Sequence, residues 1–319
     1  MEHPNLNTCL RMQGNVAPLR DGQAQVNGFD LTIHDEGAMK GAFRSMVREL
    51  KFEVSELALT TYVVAKQHGA EFTALPIFLV REFHHGAILF NRHAGITDPK
   101  QLEGRDVGID RGYTVTTGVW AREILAKEHG LDPRRVNWLL SSDEHVEDYR
   151  PPENVRHIEA GRSLREDLQA GVISATVGFF PQDIPEQYTD IVPLHSDGLE
   201  AGLRAFDQRG HYPINHLMVV RNDVLARHPE LPVALFEAFT RSKQIYVDQL
   251  SAGEIDNPTH IDQMHQRMLD RGADPLPYGL EPNRVLLEGY LEQCHIQGVT
   301  DRRVPLESLF EPTTLELIG

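Results

Sequence analysis

The sequence predicts an α/β protein made of two lobes. Short apolar segments of strand length alternate with longer segments of helical periodicity, a pattern typical of α/β folds. A first set of such units extends to about residue 103, a second begins near Gly104, and helices return after about Pro213. This order predicts a discontinuous first lobe (1–103 and 214–319) with a second lobe (104–213) inserted into it. Two crossings between lobes create a hinge and an interlobe cleft.

Each element follows from its local pattern. Apolar runs of strand length predict strands at 29–33, 52–54, 74–78, 87–90, 106–109, 136–139, 176–180 and 216–221. Apolar residues at helical spacing predict helices at 38–50, about 57–68, about 119–129, 163–170, and in most of the chain after Leu231. Chain length agrees with two domains, because 319 residues is about twice the usual domain size.

Composition limits the classes of partner. The chain carries 47 Asp and Glu against 31 Lys and Arg, a formal net charge of −16, which argues against nucleic acid and anionic membranes as partners. The two cysteines, Cys9 and Cys294, form no disulfide framework and no metal-binding CxxC motif. The N-terminus lacks signal-peptide features and no long apolar run is present, so we expect a cytoplasmic protein.

Residues 110–118 form the most informative stretch, because they follow a predicted strand and open a predicted helix. Backbone N–H groups and hydroxyls at a helix N-terminus bind anions well, and an arginine can add a bidentate contact to a carboxylate. The substrate-binding candidates here are Asp110, Arg111, Tyr113, Thr114, Thr116 and Thr117. The alternative is that the threonines simply cap the helix.

Residues 81–85 concentrate four ionisable side chains. Strand alternation places Arg81 and His85 on one face and Glu82 and His84 on the other. Histidine is well suited to proton transfer near neutral pH, so His84 and His85 are catalytic candidates and Arg81 is a carboxylate-binding candidate. A polar strand end with a solvated histidine is the alternative.

Further candidates lie at strand ends and at the return crossing. Glu36 and Glu56 follow predicted strands, where ligands gather in open α/β sheets, although both could instead be acids at helix N-termini. His216 falls where the chain returns between lobes, and a buried structural histidine is the alternative. Phe179 could stack on an aromatic ring or pack in the core.

Two passages resemble the hinge region of type II periplasmic binding proteins: residues 98–109, and residues 216–230 with the strand and its following helix. Three strings, at 81–86, 110–118 and 278–284, resemble the 4,5-dihydroxyphthalate decarboxylase family, whose members have the same fold. This resemblance implies a carboxy-lyase that converts a dihydroxylated aromatic dicarboxylate to protocatechuate and CO2.

The implied chemistry is protonation of the ring carbon that carries the departing carboxylate. We expect His84 or His85 to donate that proton, Glu56 or His216 to accept the phenolic proton, and Arg81, Arg111, Thr116 and Thr117 to hold carboxylate. The sequence specifies no cofactor and no metal ligands, is compatible with a divalent metal, and leaves homo-oligomerisation open. The main alternative function is a solute-binding protein for an organic or aromatic carboxylate, which needs the cleft but no acid and base.

Overall fold

The structure is a computed structural model that describes residues 3–35 and 39–319. Its strands are β1 Asn5–Cys9, β2 Asp30–His34, β3 Val54–Ala58, β4 Phe72–Arg81, β5 Ile88–Asn91, β6 Asp106–Ile109, β7 Asn137–Leu140, β8 Val155–His157, β9 Ala175–Val177, β10 Ile191–Pro193 and β11 Ile214–Arg221. Its helices are α1 Ala17–Arg20, α2 Met39–Glu49, α3 Leu59–Gln67, α4 Thr116–His129, α5 Leu164–Gln169, α6 Gly198–Arg209, α7 Asn222–Arg227, α8 Leu231–Ala252, α9 His260–Leu269 and α10 Arg284–Ile296. Among these described helices, none is long and apolar enough to cross a membrane.

The strands form two sheets, so the predicted two-lobed α/β fold is confirmed. The first sheet has the order β2-β1-β3-β11-β4, in which β11 runs antiparallel to both of its neighbours. The second has the order β10-β5-β9-β6-β7-β8, with parallel pairing from β9 through β8. Helices cover the sheets because apolar side chains such as Met39, Phe43 and Met46 of α2 recur at helical spacing and are buried.

The chain passes between the sheets twice. Strand β5 pairs with β9 and β10, so the first crossing lies in residues 82–87, earlier than the predicted lobe boundary after residue 103. The chain rejoins the first sheet at β11. The assignment of residues to lobes stays a prediction, and we propose to place its first crossing at 82–87. Strand β1 was not predicted, because its sequence Asn-Leu-Asn-Thr-Cys is rich in residues that strands disfavour.

Buried polar contacts join the helices of the second lobe to the first. The indole N–H of Trp120 in α4 donates to the carbonyl of Ile214 in β11 at 3.0 Å. The Arg122 guanidinium, fully buried, donates to the Gln297 side chain at 2.7 Å and to the Tyr113 carbonyl at 2.9 Å. It also lies 3.9 Å from the centre of the Tyr113 ring. Arg122 therefore connects α4 to the segment that follows α10.

We predict that Arg122→Met destabilises the protein, because both acceptors would be left buried without their donor. A hydrogen bond to a charged group contributes about 1.5–3 kcal/mol, so the urea midpoint should fall clearly when unfolding is followed by tryptophan fluorescence. Arg134→Met is the matched control, since Arg134 is exposed and, among the residues that the structure describes, its side chain pairs only with nearby Asp132. Equal midpoints for the two variants would contradict the role of Arg122.

Candidate active site

A carboxylate–histidine pair joins two adjacent strands of the first sheet. Glu56 lies on β3 and His216 on β11, and His216 Nδ1 is 2.5 Å from Glu56 Oε1. Glu56 is completely buried, whereas the His216 side chain keeps 12% of its surface exposed. The backbone N–H of Arg11, just beyond β1, donates to the other Glu56 oxygen at 2.9 Å. Both carboxylate oxygens are therefore held by donors.

The environment fixes the charges of this pair. Burial opposes ionisation of Glu56, but the hydrogen bond to His216, together with the charge and backbone N–H of Arg11, outweighs it and lowers the pKa of Glu56. Burial lowers the pKa of His216, and the Glu56 carboxylate offsets this only in part. A neutral His216 that donates Nδ1–H to Glu56 keeps a lone pair on Nε2. Within the part of the chain that the structure describes, Nε2 has no hydrogen-bond partner, so it can act as a base.

A second carboxyl group, Glu82, has the opposite character. It follows β4, and its backbone N–H donates to the Pro213 carbonyl at 3.2 Å. Burial raises the pKa of Glu82 to about 7; the Arg11 charge lowers it, and Asp183 raises it further. A substantial fraction of Glu82 is therefore protonated at neutral pH. The Arg11 charge lowers the pKa of Glu82, Glu56 and His216 alike, so one cation influences both the acid and the base.

Positive charge from both lobes faces this region. Burial raises the pKa of Asp110 at the end of β6, while Arg111, Arg165 and Lys40 lower it. Burial also lowers the pKa of His145 to about 4, reinforced by Arg44, Arg111, Lys40 and Arg48. Lys40 and Arg44 belong to α2, and Arg111 follows β6 of the second sheet. A dianionic ligand between them would relieve this repulsion.

The predicted anion site at residues 110–118 does hold a carboxylate, but it is that of Glu144. The Glu144 carboxylate accepts hydrogen bonds from the backbone N–H groups of Tyr113 and Thr114, at 2.5 and 3.2 Å, and from the Thr114 hydroxyl. Gly112 leaves room for this carboxylate, because a Cβ atom at this position would lie 2.5 Å from a Glu144 oxygen and would displace it. The predicted strand-to-helix geometry is thus confirmed, while the donors at Tyr113 and Thr114 already have a partner.

Most of the other candidates in this stretch make contacts within the protein. The Tyr113 hydroxyl donates to the Gln297 carbonyl, and the Thr116 hydroxyl accepts from the backbone and side chain of Thr60 in α3. Thr117 is buried. Arg111 has a backbone φ of 72°, unusual for a non-glycine residue, and its Nε lies 3.3 Å from Asp110 Oδ2. Substrate binding by these residues stays a prediction, best supported for Arg111.

Arg81 and His84 are enclosed in the protein. Arg81 is buried and donates to the carbonyls of Tyr212 and Pro277 and to the side chain of Asn283. Burial lowers its pKa to about 10. The contact with Asn283 joins the strings at 81–86 and 278–284.

His84 contacts Asn215 Oδ1 through Nε2 at 2.8 Å and stacks on Trp120 with ring centres 6.4 Å apart. Its pKa is lowered by burial to about 3, so it is neutral at pH 7. His85 points elsewhere, with Nε2 3.2 Å from Glu128 Oε1. Phe179 is buried beneath Arg165, whose guanidinium lies 4.2 Å from the ring centre. Glu36 lies outside the described residues.

Two spaces border these groups. The crevice between Thr61, Arg111 and His145 has a volume of about 10 Å³, room for about one water molecule. A larger cavity, about 510 Å³, is lined by residues that follow β4 and β9, including Glu82, Gly86 and Phe180. Glu82 therefore borders the larger space.

Several residues of this region were not among the predicted site residues, among them Arg11, Glu82 and His145. Arg11 follows β1, a strand that the sequence did not reveal. Glu82 was visible as the acidic member of the 81–85 cluster, and strand alternation separates it from Arg81. No local sequence pattern distinguishes His145, because its neighbours are distant in sequence. Its ring centre lies 6.2 Å from that of Phe43, and its Nδ1 lies 3.0 Å from the Thr61 hydroxyl oxygen.

Comparison with known proteins finds relatives that agree with the resemblance of the three strings. No family model matches the chain. A 4,5-dihydroxyphthalate decarboxylase of Comamonas testosteroni is 29% identical over 328 residues, which cover 99% of each chain. A protein of the same name from Pseudomonas putida is 30% identical over 147 residues, 46% of this chain and 56% of the other.

Among solved structures, the periplasmic aliphatic sulphonate binding protein SsuA of Escherichia coli superposes with a TM-score of 0.55 at 9% identity, covering 98% of this chain and 99% of that one. This likeness concerns the fold alone. The chain thus has a two-lobed type II periplasmic-binding-protein-like fold and is similar over its whole length to 4,5-dihydroxyphthalate decarboxylase.

Proposed function

We propose that this protein is a carboxy-lyase that converts 4,5-dihydroxyphthalate to protocatechuate and CO2 in the cleft between its lobes. Two groups carry the proposal. Glu82 is a carboxyl group with a raised pKa, and His216 is an imidazole with a lowered pKa that the Glu56 carboxylate holds in place. A protein that only binds a solute has no use for such an acid and base. The names of the two relatives support the same reaction.

The chemistry requires both groups. Direct loss of CO2 would leave an aryl anion, whereas protonating the carbon that bears the carboxylate avoids it. Each carboxylate of 4,5-dihydroxyphthalate is para to a hydroxyl, whose electrons support that protonation and give a dienone-like intermediate. Loss of CO2 then restores the aromatic ring.

We assign the acid to Glu82 and the base to His216. Glu82 gives its proton to the ring carbon while His216 Nε2 takes the phenolic proton. His216 returns that proton as the ring becomes aromatic again, and Glu82 is reprotonated from solvent. Glu56 positions His216 and stabilises the imidazolium that forms. The earlier prediction of His84 or His85 as donor remains untested, but a histidine with a pKa of about 3 holds no extra proton at pH 7.

Lys40, Arg44 and Arg111 are the groups proposed to hold the retained carboxylate, because they place positive charge from both lobes at the crevice. The crevice beside Arg111 is narrow, and we propose that the lobes separate to bind an aromatic diacid and close again around it. Closure would exclude water from the reacting ring and strengthen its electrostatic contacts.

We predict that purified protein releases CO2 from 4,5-dihydroxyphthalate, and that Glu82→Gln and His216→Gln each lower kcat by roughly 10²–10⁴-fold, the usual contribution of one acid or base. Arg111→Ala should mainly raise KM, because it removes a contact to a carboxylate. Glu288→Gln, a change on an exposed part of α10, should leave both constants unchanged.

The outcome that rejects this proposal is tight binding of 4,5-dihydroxyphthalate without release of CO2, which would make the protein a carboxylate-binding protein. Wild-type kcat in Glu82→Gln would reject the assignment of the acid while leaving the reaction itself intact. Binding measured by tryptophan fluorescence verifies that each inactive variant still folds.

We predict that kcat/KM falls as the pH rises above about 7. The acid must be protonated, and its pKa of about 7 sets the alkaline limb, whereas the lowered pKa of His216 moves the acid limb below the ordinary histidine value of 6.5. In Glu82→Gln the residual activity should lose the decline above pH 7, because an amide does not titrate. Activity that increases steadily from pH 6 to 9 would contradict this assignment.

A further inference from the structure

Four ionisable side chains that take no part in the proposed acid–base chemistry meet beside the first crossing between the sheets. They are Glu128 and His129 at the end of α4, His195 just after β10, and His85 in the first crossing between the sheets. One ligand atom each from Glu128, His129 and His195 lies within 4.8 Å of the others. The ring centre of His195 lies 5.3 Å from that of His85 and 5.7 Å from that of His129.

The hydrogen-bonding state of these rings is unusual. His85 Nδ1, His129 Nε2 and His195 Nε2 are all inaccessible to solvent and have no hydrogen-bond partner among the described residues. His85 is itself 5% exposed. Buried polar atoms are nearly always paired, since leaving one without a partner costs about 1–3 kcal/mol. The unpaired nitrogens of His129 and His195, on adjacent rings, therefore call for a shared partner that the described residues do not supply.

A divalent transition-metal ion satisfies that requirement. Imidazole nitrogen and carboxylate oxygen bind Zn²⁺ at about 2.0–2.2 Å, which places tetrahedral ligands roughly 3.4 Å apart. Ligand atoms within 4.8 Å can reach this separation by small side-chain rotations. Two histidines and one glutamate are a ligand set that zinc uses, with a fourth position left to solvent.

His85 has a supporting position in this arrangement. Its Nε2 lies 3.2 Å from Glu128 Oε1, so it can donate to the carboxylate and orient it toward an ion. Such hydrogen bonds to a ligand usually change metal affinity by 10–100-fold.

One contact opposes a cation. Arg209 in α6 donates to Glu128 Oε1 at 2.5 Å, so its guanidinium now occupies the carboxylate that an ion would need. The Arg209 side chain is 40% exposed and can turn into solvent. The arginine and the ion therefore compete for Glu128.

We propose that Glu128, His129 and His195 bind a zinc-type divalent ion, with His85 orienting the carboxylate. The ion would link the end of α4 to the segment after β10, and through His85 to the first crossing. It would thereby stabilise the hinge region independently of the acid and base around Arg11.

The test is a titration of chelator-treated full-length protein with Zn²⁺ by calorimetry, repeated with Co²⁺ to observe the visible absorption of a four-coordinate cobalt site. We expect one ion per chain and an increase in Tm on zinc addition. His129→Ala and His195→Ala should weaken binding at least 10-fold, and His85→Ala should weaken it 10–100-fold. His157→Ala, at an exposed position on β8, is the matched control and should bind zinc as the wild type does.

Arg209→Gln distinguishes the proposal from general histidine affinity, because removing the competing guanidinium should tighten zinc binding. Equal metal-free Tm values for wild type and variants will show that each variant folds. The proposal is overturned by the absence of saturable binding, by unchanged affinity in His129→Ala and His195→Ala, or by weaker binding in Arg209→Gln. None of these measurements depends on the decarboxylation activity.

Discussion

The burial of one ionised carboxylate, Glu56, constrains the region around it. A buried charge is costly unless donors surround it. The donors here come from the loop after β1 and from β11, so strands far apart in sequence must be adjacent for Glu56 to be stable. The same requirement holds His216 Nδ1 against the carboxylate, while burial of the imidazole itself lowers the pKa of His216. The position of the proposed base thus follows from satisfying a single side chain.

Cationic side chains from different parts of the fold lie near this region. The protein as a whole is strongly acidic, with a net charge of −16, and would repel a dicarboxylate at long range. Lys40 and Arg44 of α2 and Arg111 after β6 place positive charge near Asp110 and His145. Closing the lobes on an aromatic diacid would therefore neutralise charges that otherwise repel one another, which gives the ligand a direct reason to favour the closed state.

The sequence allowed most of the fold to be predicted, because hydrophobic periodicity and turn residues are local signals. The predicted bounds of strand β6 and of the helix after it are close to those in the structure. Strand β1 was not predicted, because two of its five residues are asparagines, which are rare in strands. The site was harder to predict, since its groups meet only through long-range pairing. Glu56 and His216 were predicted separately and are in direct contact. Arg81 was expected to bind substrate, but its guanidinium is occupied by internal carbonyls, and burial, which decides this, cannot be read from a string of residues.

The proposed reaction depends on a carboxyl group that is still protonated at neutral pH. The most direct measurement is a carbon-13 NMR titration of protein labelled at the glutamate carboxyl carbons, with the Glu82 signal assigned by its loss in Glu82→Gln. The structure predicts a titration midpoint near pH 7 for Glu82, because burial outweighs the nearby Arg11 charge. A midpoint near the ordinary glutamate value of 4.5 would contradict the acid–base pair on which this account rests.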